Sequence, residues 1–502
     1  MKLQKQRRNT EMIKTHHISR RKFMVLSAGT GLSLMGCGTL GWHRKSSSIA
    51  TNVIRSKPLP IPKLLTGTEI NGQRVYDLTM QQGSMVFVPG KSTPTFGYNG
   101  NILGPTMLMN KGEDVVINVT NQLGEPTTTH WHGLHLPAVM DGGPHQRIEN
   151  GDTWQAHFTI MNEAATFWYH PHLMGKTAEH VYHGLAGLFI VKDPQSKLAL
   201  PDQYGIDDIP LIIQDKIFNA DGSFNYPGTK MGVKGDHFLV NGALTPIFNA
   251  PAQFVRFRLL NGSNARIYNF GFSDNREFYQ IGTDGGLLEK PVPLTRLILS
   301  TGERAEILVN FSGQENSQVQ LVSYSAELGK INSILTRDAL DKTTIDILTI
   351  NVNSSTANPI VALPGSLAII NRLKESQAVK TRSFRLHMHL GSFLINGKKM
   401  KLDRIDQTIK LNDIEIWKIK NNSLMSHPFH VHDIQFLILT RNGSSPPKNE
   451  RGWKDVVLVK PFETVRVIAR FGEFADPDTP YMFHCHILEH EDAGMMGQFV
   501  VV

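Results

Sequence analysis

The stretch YMFHCHILEHEDAGMMGQFVV, residues 481–501, lies near the C-terminus and places one thiol, Cys485, between the imidazoles of His484 and His486. Successive side chains of an extended strand point to opposite faces, so a thiol and its two neighbours can serve different sites. A cysteine that only packs in a core does not need such neighbours. The stretch therefore predicts a β-strand that carries metal ligands on both faces.

Three further H-x-H pairs repeat this pattern elsewhere in the sequence. Residues i and i+2 of a strand share one face about 7 Å apart, so such a pair can approach one metal ion or two neighbouring ions. The four pairs supply these imidazoles: His130, His132, His170, His172, His430, His432, His484 and His486. One pair alone is compatible with ordinary packing, but four pairs and a central thiol indicate a metal cluster.

The ligand types favour copper. Calcium and magnesium prefer oxygen ligands, and zinc seldom needs so many imidazoles. His427, His490 and Met495 complete the surroundings of Cys485 with two imidazoles and a thioether. Together they are the ligand set of a blue-copper electron-transfer site. An electron that reaches the thiolate would then have a covalent path through the backbone to the two flanking imidazoles.

The N-terminal residues 1–50 are predicted to be an export signal and leader. Arg20 and Arg21 precede an apolar run of about 14 residues, which is short for a membrane span and suits a signal peptide. The Ser-Arg-Arg-x-Phe pattern resembles a twin-arginine signal, which implies the twin-arginine export machinery as a partner and a periplasmic location. The alternative is an ordinary charged segment before a buried helix.

The sequence contains two cysteines, and one of them lies in this signal region. Leu34-Met35-Gly36-Cys37 resembles a lipoprotein box, so lipid anchoring through Cys37 is one expectation and simple cleavage of the signal is the other. Cys485 then has no internal disulfide partner, and its role is predicted to be chemical.

Charge and composition narrow the class of protein. Residues 1–36 hold eight Lys/Arg and one acid, so 44 bases and 43 acids remain of the 52 and 44 in the whole chain. This nearly neutral remainder gives no reason to expect a nucleic-acid partner. The 43 glycines and 26 prolines, with short apolar runs between them, favour an all-β fold with many turns. We expect a monomer.

Five segments carry a resemblance to a known family: HWHGLHLPAVMDGGPHQ (130–146), FWYHPHLMGKTAEHVYHGLAG (167–187), HPFHVHDIQFLIL (427–439), GWKDVVLV (452–459) and HCHILEHEDAGMMGQFVV (484–501). In this order and spacing the chain resembles the multicopper oxidases, the laccase family, and within them the bacterial copper-efflux oxidases. The resemblance implies three cupredoxin-like domains, each a Greek-key β-barrel or sandwich.

The same resemblance implies four copper ions and assigns their ligands. The assignment is type 1 copper to His427, Cys485, His490 and Met495, type 2 copper to His130 and His430, one type 3 copper to His132, His170 and His486, and the second type 3 copper to His172, His432 and His484. The predicted domains are residues 58–195 and 380–502, which hold the ligands, and 206–352, which holds no histidine cluster and is interpreted as a spacer. The trinuclear cluster is then expected between the first and third domains.

The expected reaction is the one-electron oxidation of a reductant at the type 1 site, coupled to reduction of dioxygen to water at the trinuclear cluster. Asp141 and Glu491 stand where the family places acids that handle protons or tune the cluster. The other interpretations are an Asp-Gly turn for Asp141 and a surface acid for Glu491.

The reductant stays open between Cu(I), Fe(II) and phenols, with Cu(I) preferred. Met425 matches a methionine of the copper-efflux substrate site, but Ser423 replaces the expected acid. Met388 is a second soft-ligand candidate, with packing in the core as the alternative. The methionine-rich insert of that subfamily is missing, since residues 330–382 contain no methionine. This favours better access for phenols.

Three other functions are alternatives to this one. A laccase-type phenol oxidase without a metal-ion substrate is the main alternative. A copper-free structural relative, of the kind that acts in cell division, would have lost the ligands, whereas all of them are present here. A copper store or carrier would have no use for eight clustered imidazoles.

Overall fold

The structure, a computed structural model, describes residues 57–333, 335–389 and 391–502. These residues form six β-sheets around three main cores, so that three two-sheet sandwiches follow one another along the chain. The predicted all-β architecture of three sandwich domains is confirmed. The predicted export segment, with the twin-arginine pair and Cys37, lies outside the described residues.

The first sandwich encloses a core that includes Tyr98, Trp131 and Phe189. Its first sheet has the order β1 (Leu64–Leu65), β5 (Thr106–Asn110), β10 (Gly187–Lys192), β9 (Ala165–His170), β7 (His130–His132). Its second sheet has the order β2 (Thr68–Ile70), β3 (Gln73–Val88), β6 (Asp114–Gln122), β8 (Thr153–Thr159), with β4 (Lys91–Tyr98) paired to β3. Strands that are consecutive in sequence are often in different sheets, as in Greek-key folds.

The middle sandwich encloses the core around Phe257 and Tyr268. Its larger sheet has the order β13 (Ala243–Leu244), β12 (His237–Val240), β11 (Asp208–Lys216), β15 (Phe254–Asn261), β20 (Arg304–Asn310), β17 (Phe278–Thr283), β18 (Gly286–Leu294). Its smaller sheet has the order β14 (Ile247–Pro251), β22 (Thr344–Asn353), β21 (Gln318–Tyr324), β16 (Tyr268–Phe272), β19 (Leu297–Leu299). Leu59 also packs in this core, so the described chain begins attached to the middle sandwich.

The third sandwich encloses a core around Trp417, whose ring centroid lies 4.5 Å from that of Phe384 and 5.7 Å from that of Phe483. Its first sheet has the order β24 (Ser392–Ile395), β23 (Lys380–His389), β26 (Ile414–Asn421), β30 (Thr464–Arg470), β28 (Phe436–Arg441). Its second sheet has the order β25 (Gln407–Ile409), β32 (Met496–Val501), β31 (Asp476–Cys485), β27 (His427–Val431), β29 (Val456–Val459).

The described helices are short. The two α-helices are α1 (Thr177–His183) and α2 (Leu488–Asp492), and the 3-10 helices are Ala138–Met140, Ser325–Ile331, Leu340–Lys342, Glu375–Gln377 and Lys448–Glu450. No described helix combines the length and the apolar character of a membrane-spanning segment.

Alternation along the strands separates core from surface. In β30, Val465, Val467 and Ala469 point into the third core, while the side chains of Arg466 and Arg470 on the other face are 30% and 51% exposed. A period of two residues produces this pattern on a half-buried sheet. The same rule governs the ligand strands β7 and β31, where residues 130–132 and 480–485 are all buried and the two faces meet different surroundings.

Candidate metal centres

Strand register assembles the histidine pairs. In the first sandwich His130 of β7 is paired with His170 of β9, and in the third His430 of β27 is paired with His484 of β31. Residues directly opposite each other on antiparallel strands point to one face. The two sets then meet, since the rings of His132 and His430 stack with centroids 3.8 Å apart. The imidazoles therefore form one cluster between the first and third sandwiches.

All eight paired histidines are buried. Their nitrogen atoms lie within 4.8 Å of one another in three groups: His130, His132 and His430; His132, His170 and His486; His172, His432 and His484. These groups contain the three residue sets that the family resemblance assigns to the type 2 and type 3 ions. The structure thus brings together every imidazole that the sequence placed in the trinuclear cluster.

Hydrogen bonds set which nitrogen of each ring faces inward. The outer Nδ1 atoms of His130, His170 and His430 each lie 2.8 Å from a backbone carbonyl oxygen, which leaves Nε2 directed at the cluster. His132 has the reverse orientation, because its Nε2 lies 3.0 Å from Oδ1 of Asp455. A ring nitrogen that donates outward leaves the other as a lone-pair donor for a metal.

The protonation of the cluster suits a bound cation. Burial lowers the pKa of His172 to about 4 and of His486 to about 3, so these rings are neutral at pH 7. Nε2 of His484 lies 3.1 Å from Nε2 of His432 and 3.2 Å from Nε2 of His172. Converging lone pairs in a buried site repel one another unless a cation lies between them. The donor set of neutral imidazoles fits copper.

Asp141 contacts two of the cluster rings. Its Oδ2 lies 2.7 Å from Nδ1 of His432, and its backbone oxygen accepts from Nδ1 of His130. Burial raises the pKa of the Asp141 carboxyl well above its ordinary value. Gly142 follows at φ +75°, where a Cβ would lie 1.8 Å from the carbonyl oxygen of Thr129. Asp141 and Gly142 therefore do form a turn, and this turn places the carboxyl of Asp141 against the imidazole cluster.

Glu491 is completely buried, so the surface-acid interpretation is wrong. Its carboxylate oxygens lie 3.2 Å from Nδ1 of His484 and 3.5 Å from Nδ1 of His172. Burial alone would raise the pKa of Glu491, but the two imidazoles outweigh it and bring the pKa to about 2. Burial therefore raises the pKa of one carboxyl beside the cluster, while the neighbouring imidazoles lower that of the other.

The second centre surrounds the thiol. Sγ of Cys485 lies 3.4 Å from Nδ1 of His427 and 3.5 Å from Nδ1 of His490. All three residues are buried, and burial raises the pKa of the thiol. A bound cation would favour the thiolate instead. The neighbours of Cys485 on the chain belong to the imidazole cluster, as the alternation of strand faces predicts.

Three further residues pack against or contact the side chains around Cys485. Met495 is buried, and its backbone accepts a hydrogen bond from the amide of Cys485 at 3.1 Å, which folds the loop through α2 back onto the thiol. Phe393 stacks on His490 with ring centroids 3.7 Å apart. Oγ of Ser423, the residue that replaces the expected acid, lies 2.9 Å from Nε2 of His427.

The two substrate candidates differ in exposure. Met425 is 3% exposed, whereas Met388 is 37% exposed and lies opposite Phe393 in the β23–β24 hairpin. The interpretation of Met388 as a core residue is therefore too simple, because it stands at the solvent end of the core face. Met425 lines a cavity of about 20 Å³, and Met231 of the middle sandwich also lines it.

Three residues that lie at or near these centres are not predicted by the sequence analysis. Met231 and Arg304 belong to the middle sandwich, whose lack of histidine clusters predicts only a spacer, and no local pattern in the sequence marks these two residues. Asp455 lies inside the GWKDVVLV segment, and its acid before an apolar strand was the one available signal.

Known protein families and individual proteins are similar to this chain. Two family models, both described as multicopper oxidase, match residues 79–196 and 369–502. Multicopper oxidase mco of Staphylococcus epidermidis is 39% identical over 437 residues, 86% of this chain and 89% of that protein. Cell division protein FtsP of Yersinia pestis is 34% identical over 489 residues, 97% of this chain and 98% of that protein.

A solved structure is also similar, that of a laccase-like multicopper oxidase, CueO, from the lignin-degrading bacterium Ochrobactrum sp., described with oxidase activity towards lignin model compounds. It is 37% identical and superposes with a TM-score of 0.80, covering 89% of this chain and 100% of that chain.

Proposed function

The chain belongs to the multicopper oxidases, and on this basis we propose that it oxidises Cu(I) at a type 1 copper site and reduces dioxygen to water at a trinuclear copper cluster. Family membership makes the protein a copper-dependent oxidoreductase. The proposal adds the count of four ions, the electron acceptor and the reductant. Phenols are secondary substrates in this proposal, and Fe(II) is a further candidate reductant.

Each ion has a set of ligands in the proposal. The sets are His427, Cys485, His490 and Met495 for type 1, His130 and His430 for type 2, His132, His170 and His486 for one type 3 ion, and His172, His432 and His484 for the other. Copper, when bound, supplies the one-electron redox chemistry and the reduction of dioxygen.

The observation that carries the proposal is the position of Cys485 between the two centres. Its thiol faces His427 and His490, while His484 and His486, one peptide bond away on each side, reach the imidazole cluster. Such a direct covalent path suits electron transfer between the centres. The presence of all these ligands also separates this chain from a copper-free structural protein. Overall similarity does not make that distinction, because FtsP of Yersinia pestis matches 97% of this chain and multicopper oxidase mco of Staphylococcus epidermidis matches 86%.

The acids divide the proton chemistry between them. Burial raises the pKa of the Asp141 carboxyl, its Oδ2 lies 2.7 Å from Nδ1 of His432, and its Oδ1 lies 3.5 Å from Nδ1 of His130. It is placed to release a proton on the side of His130 and His432. Glu491 keeps its negative charge against His172 and His484, which holds those rings in orientation and balances bound cations.

The cavity at Met425 supports a metal ion as the reductant. Its volume of about 20 Å³ suits one water-sized guest, and a phenol ring does not fit. Met231 and Met425 are among its lining residues, and thioethers prefer Cu(I). Met425 is two residues from His427, so a cuprous ion held there would be close to the type 1 ligand.

The test compares steady-state oxidation of Cu(I) and of a dimethoxyphenol by Met425→Leu and Met231→Leu. We expect KM for Cu(I) to rise about tenfold in each, by analogy with other losses around metal sites, with phenol oxidation unchanged. Met107→Leu, a buried methionine of the first core, is the control. Unchanged Cu(I) oxidation in both variants would favour the laccase-type alternative, and Met388→Leu then tests the exposed position beside Phe393.

The proposal includes export. The twin-arginine pattern supports export of the folded protein to the periplasm, and the Leu34-Met35-Gly36-Cys37 pattern supports lipid anchoring through Cys37 as a separate proposal. Fractionation of cells that express Arg20→Lys/Arg21→Lys tests the route, and Cys37→Ala tests the anchor. Cytoplasmic retention of the first variant supports the route, and unchanged periplasmic delivery contradicts it.

A further inference from the structure

Asp455 touches imidazoles from both ends of the chain. The residue is buried and directly precedes β29. Its Oδ1 lies 3.0 Å from Nε2 of His132, and its backbone oxygen lies 2.8 Å from Nδ1 of His430. One residue therefore sets the ring orientation of a proposed type 3 ligand and a proposed type 2 ligand.

Arg304, the first residue of β20 in the middle sandwich, holds that carboxylate. Its Nη1 and Nη2 donate to Oδ1 and Oδ2 of Asp455, each at 2.6 Å. The remaining donors reach the carbonyl oxygens of Thr166, Gly302 and Asp284 at 2.9–3.2 Å. All five N–H groups of the buried guanidinium are thus used, and its orientation is determined by the fold.

The guanidinium of Arg304 directs the Asp455 carboxylate towards His132. A buried carboxylate without a cation takes up a proton or turns towards the nearest metal ion. Held in place by Arg304, the carboxylate of Asp455 accepts from the Nε2–H of His132, which leaves Nδ1 of that ring for the cluster. The reversed orientation of His132 follows from this pair.

The same loop of the middle sandwich contacts a third imidazole. A Cβ at Gly302 would lie 2.9 Å from two ring atoms of His486, so this position admits only glycine beside that ring. Oγ1 of Thr301 donates to the backbone oxygen of His486. The middle sandwich therefore lies against the cluster, although the described part of it supplies none of the imidazoles grouped there.

We propose that Arg304 is a positioning residue for the trinuclear cluster, acting through Asp455 on His132 and His430. The middle sandwich in this view controls copper occupancy and geometry at a site whose ligands all belong to the other two sandwiches. The inference rests on the proposed function, because it presupposes a copper cluster at these imidazoles.

The experiment uses the copper-loaded full-length protein and the variants Arg304→Lys and Asp455→Asn. Lysine keeps the charge but cannot make the paired contact, and asparagine keeps the shape but not the charge. We expect cluster copper affinity to fall about 10–100-fold in both, as for other outer partners of metal ligands. Copper content per chain and the type 2 electron paramagnetic resonance signal should fall or change, while the blue absorption of the thiolate site is retained.

Arg258→Lys is the matched control. Arg258 is also buried in the middle sandwich, pairs with Asp208 and Glu306, and reaches Thr166, but it makes no contact with Asp455 among the described residues. Circular dichroism of the copper-free proteins shows whether each variant folds.

A wild-type copper content and type 2 signal in both cluster variants would overturn the inference, and so would an equal loss in Arg258→Lys. If Arg304→Lys does not fold, the nearly isosteric Asp455→Asn decides the question alone. A wild-type protein that binds no cluster copper would instead refute the proposed function.

Discussion

Raising the pH from 7 to 9 should weaken the contact that joins the first sandwich to the third at His135. Nδ1 of this ring lies 2.7 Å from Oδ1 of Asp433, and Nε2 lies 3.1 Å from Oε2 of Glu473. A protonated imidazole donates to both carboxylates at once. Burial alone would lower the pKa of His135, but the two carboxylates outweigh it and raise the pKa from 6.5 to about 9.

The direction and size of the stability change follow from the linkage between protonation of His135 and folding. A folded-state pKa above the unfolded value means that the stabilisation is complete below pH 6.5 and is lost as the pH rises through 9. The difference corresponds to about 3 kcal/mol at low pH, of which about 2 kcal/mol is lost between pH 7 and pH 9. Glu473 is 38% exposed, so solvent screening makes these upper values.

The assay is denaturant unfolding of the copper-free protein at pH 7 and pH 9 and constant ionic strength. His135→Gln should be less stable than the wild type at pH 7 by up to about 2 kcal/mol and nearly equal to it at pH 9. His157→Gln, at an exposed pair with Asp114, is the control and should follow the wild type. A difference between wild type and His135→Gln that is the same at both pH values would refute the reasoning.

Three further predictions concern the centres. Cys485→Ser should lose the intense visible absorption but keep the fold, because the other cysteine, Cys37, lies in the signal region; a blue band that survives would contradict the thiolate assignment. Glu491→Gln should slow reoxidation by dioxygen while the type 1 site is still reduced at the wild-type rate, which stopped-flow absorbance measures; equal rates in both half-reactions would remove Glu491 from the proton chemistry. Gly142→Ala should destabilise the protein by about 2–3 kcal/mol in thermal unfolding, since its Cβ would overlap the backbone oxygen of Thr129; an unchanged melting temperature would show that the turn relaxes freely.

The ligand strands could be predicted because their signal is local. A period of two along β31 is enough to separate Cys485 from His484 and His486, and the same period makes each H-x-H pair converge. The all-β class follows equally from short apolar runs between turn residues. These features depend on neighbours in sequence, so no knowledge of tertiary packing was needed.

The features of the metal centres that the sequence does not predict depend on contacts between segments that are distant in the chain. Arg304 is 151 residues from Asp455, and His132 is 323 residues from it, so neither pairing leaves a pattern in sequence. The burial of Glu491 depends on packing between the first and third sandwiches. Met231 joins Met425 only because a loop of the middle sandwich covers the third. The middle segment lacks histidine clusters, so its sequence predicts only a spacer. Its contacts with the metal centres are made through other residue types.

The most direct test of the central claim is the stoichiometry of Cu(I) oxidised to dioxygen consumed by the copper-loaded protein, measured with an oxygen electrode and a peroxide assay. Coupling of the thiolate centre to the imidazole cluster through Cys485 predicts four cuprous ions oxidised per dioxygen and no free hydrogen peroxide. Two cuprous ions per dioxygen with accumulating peroxide, or oxidation that continues at the wild-type rate in Cys485→Ser, would contradict the account.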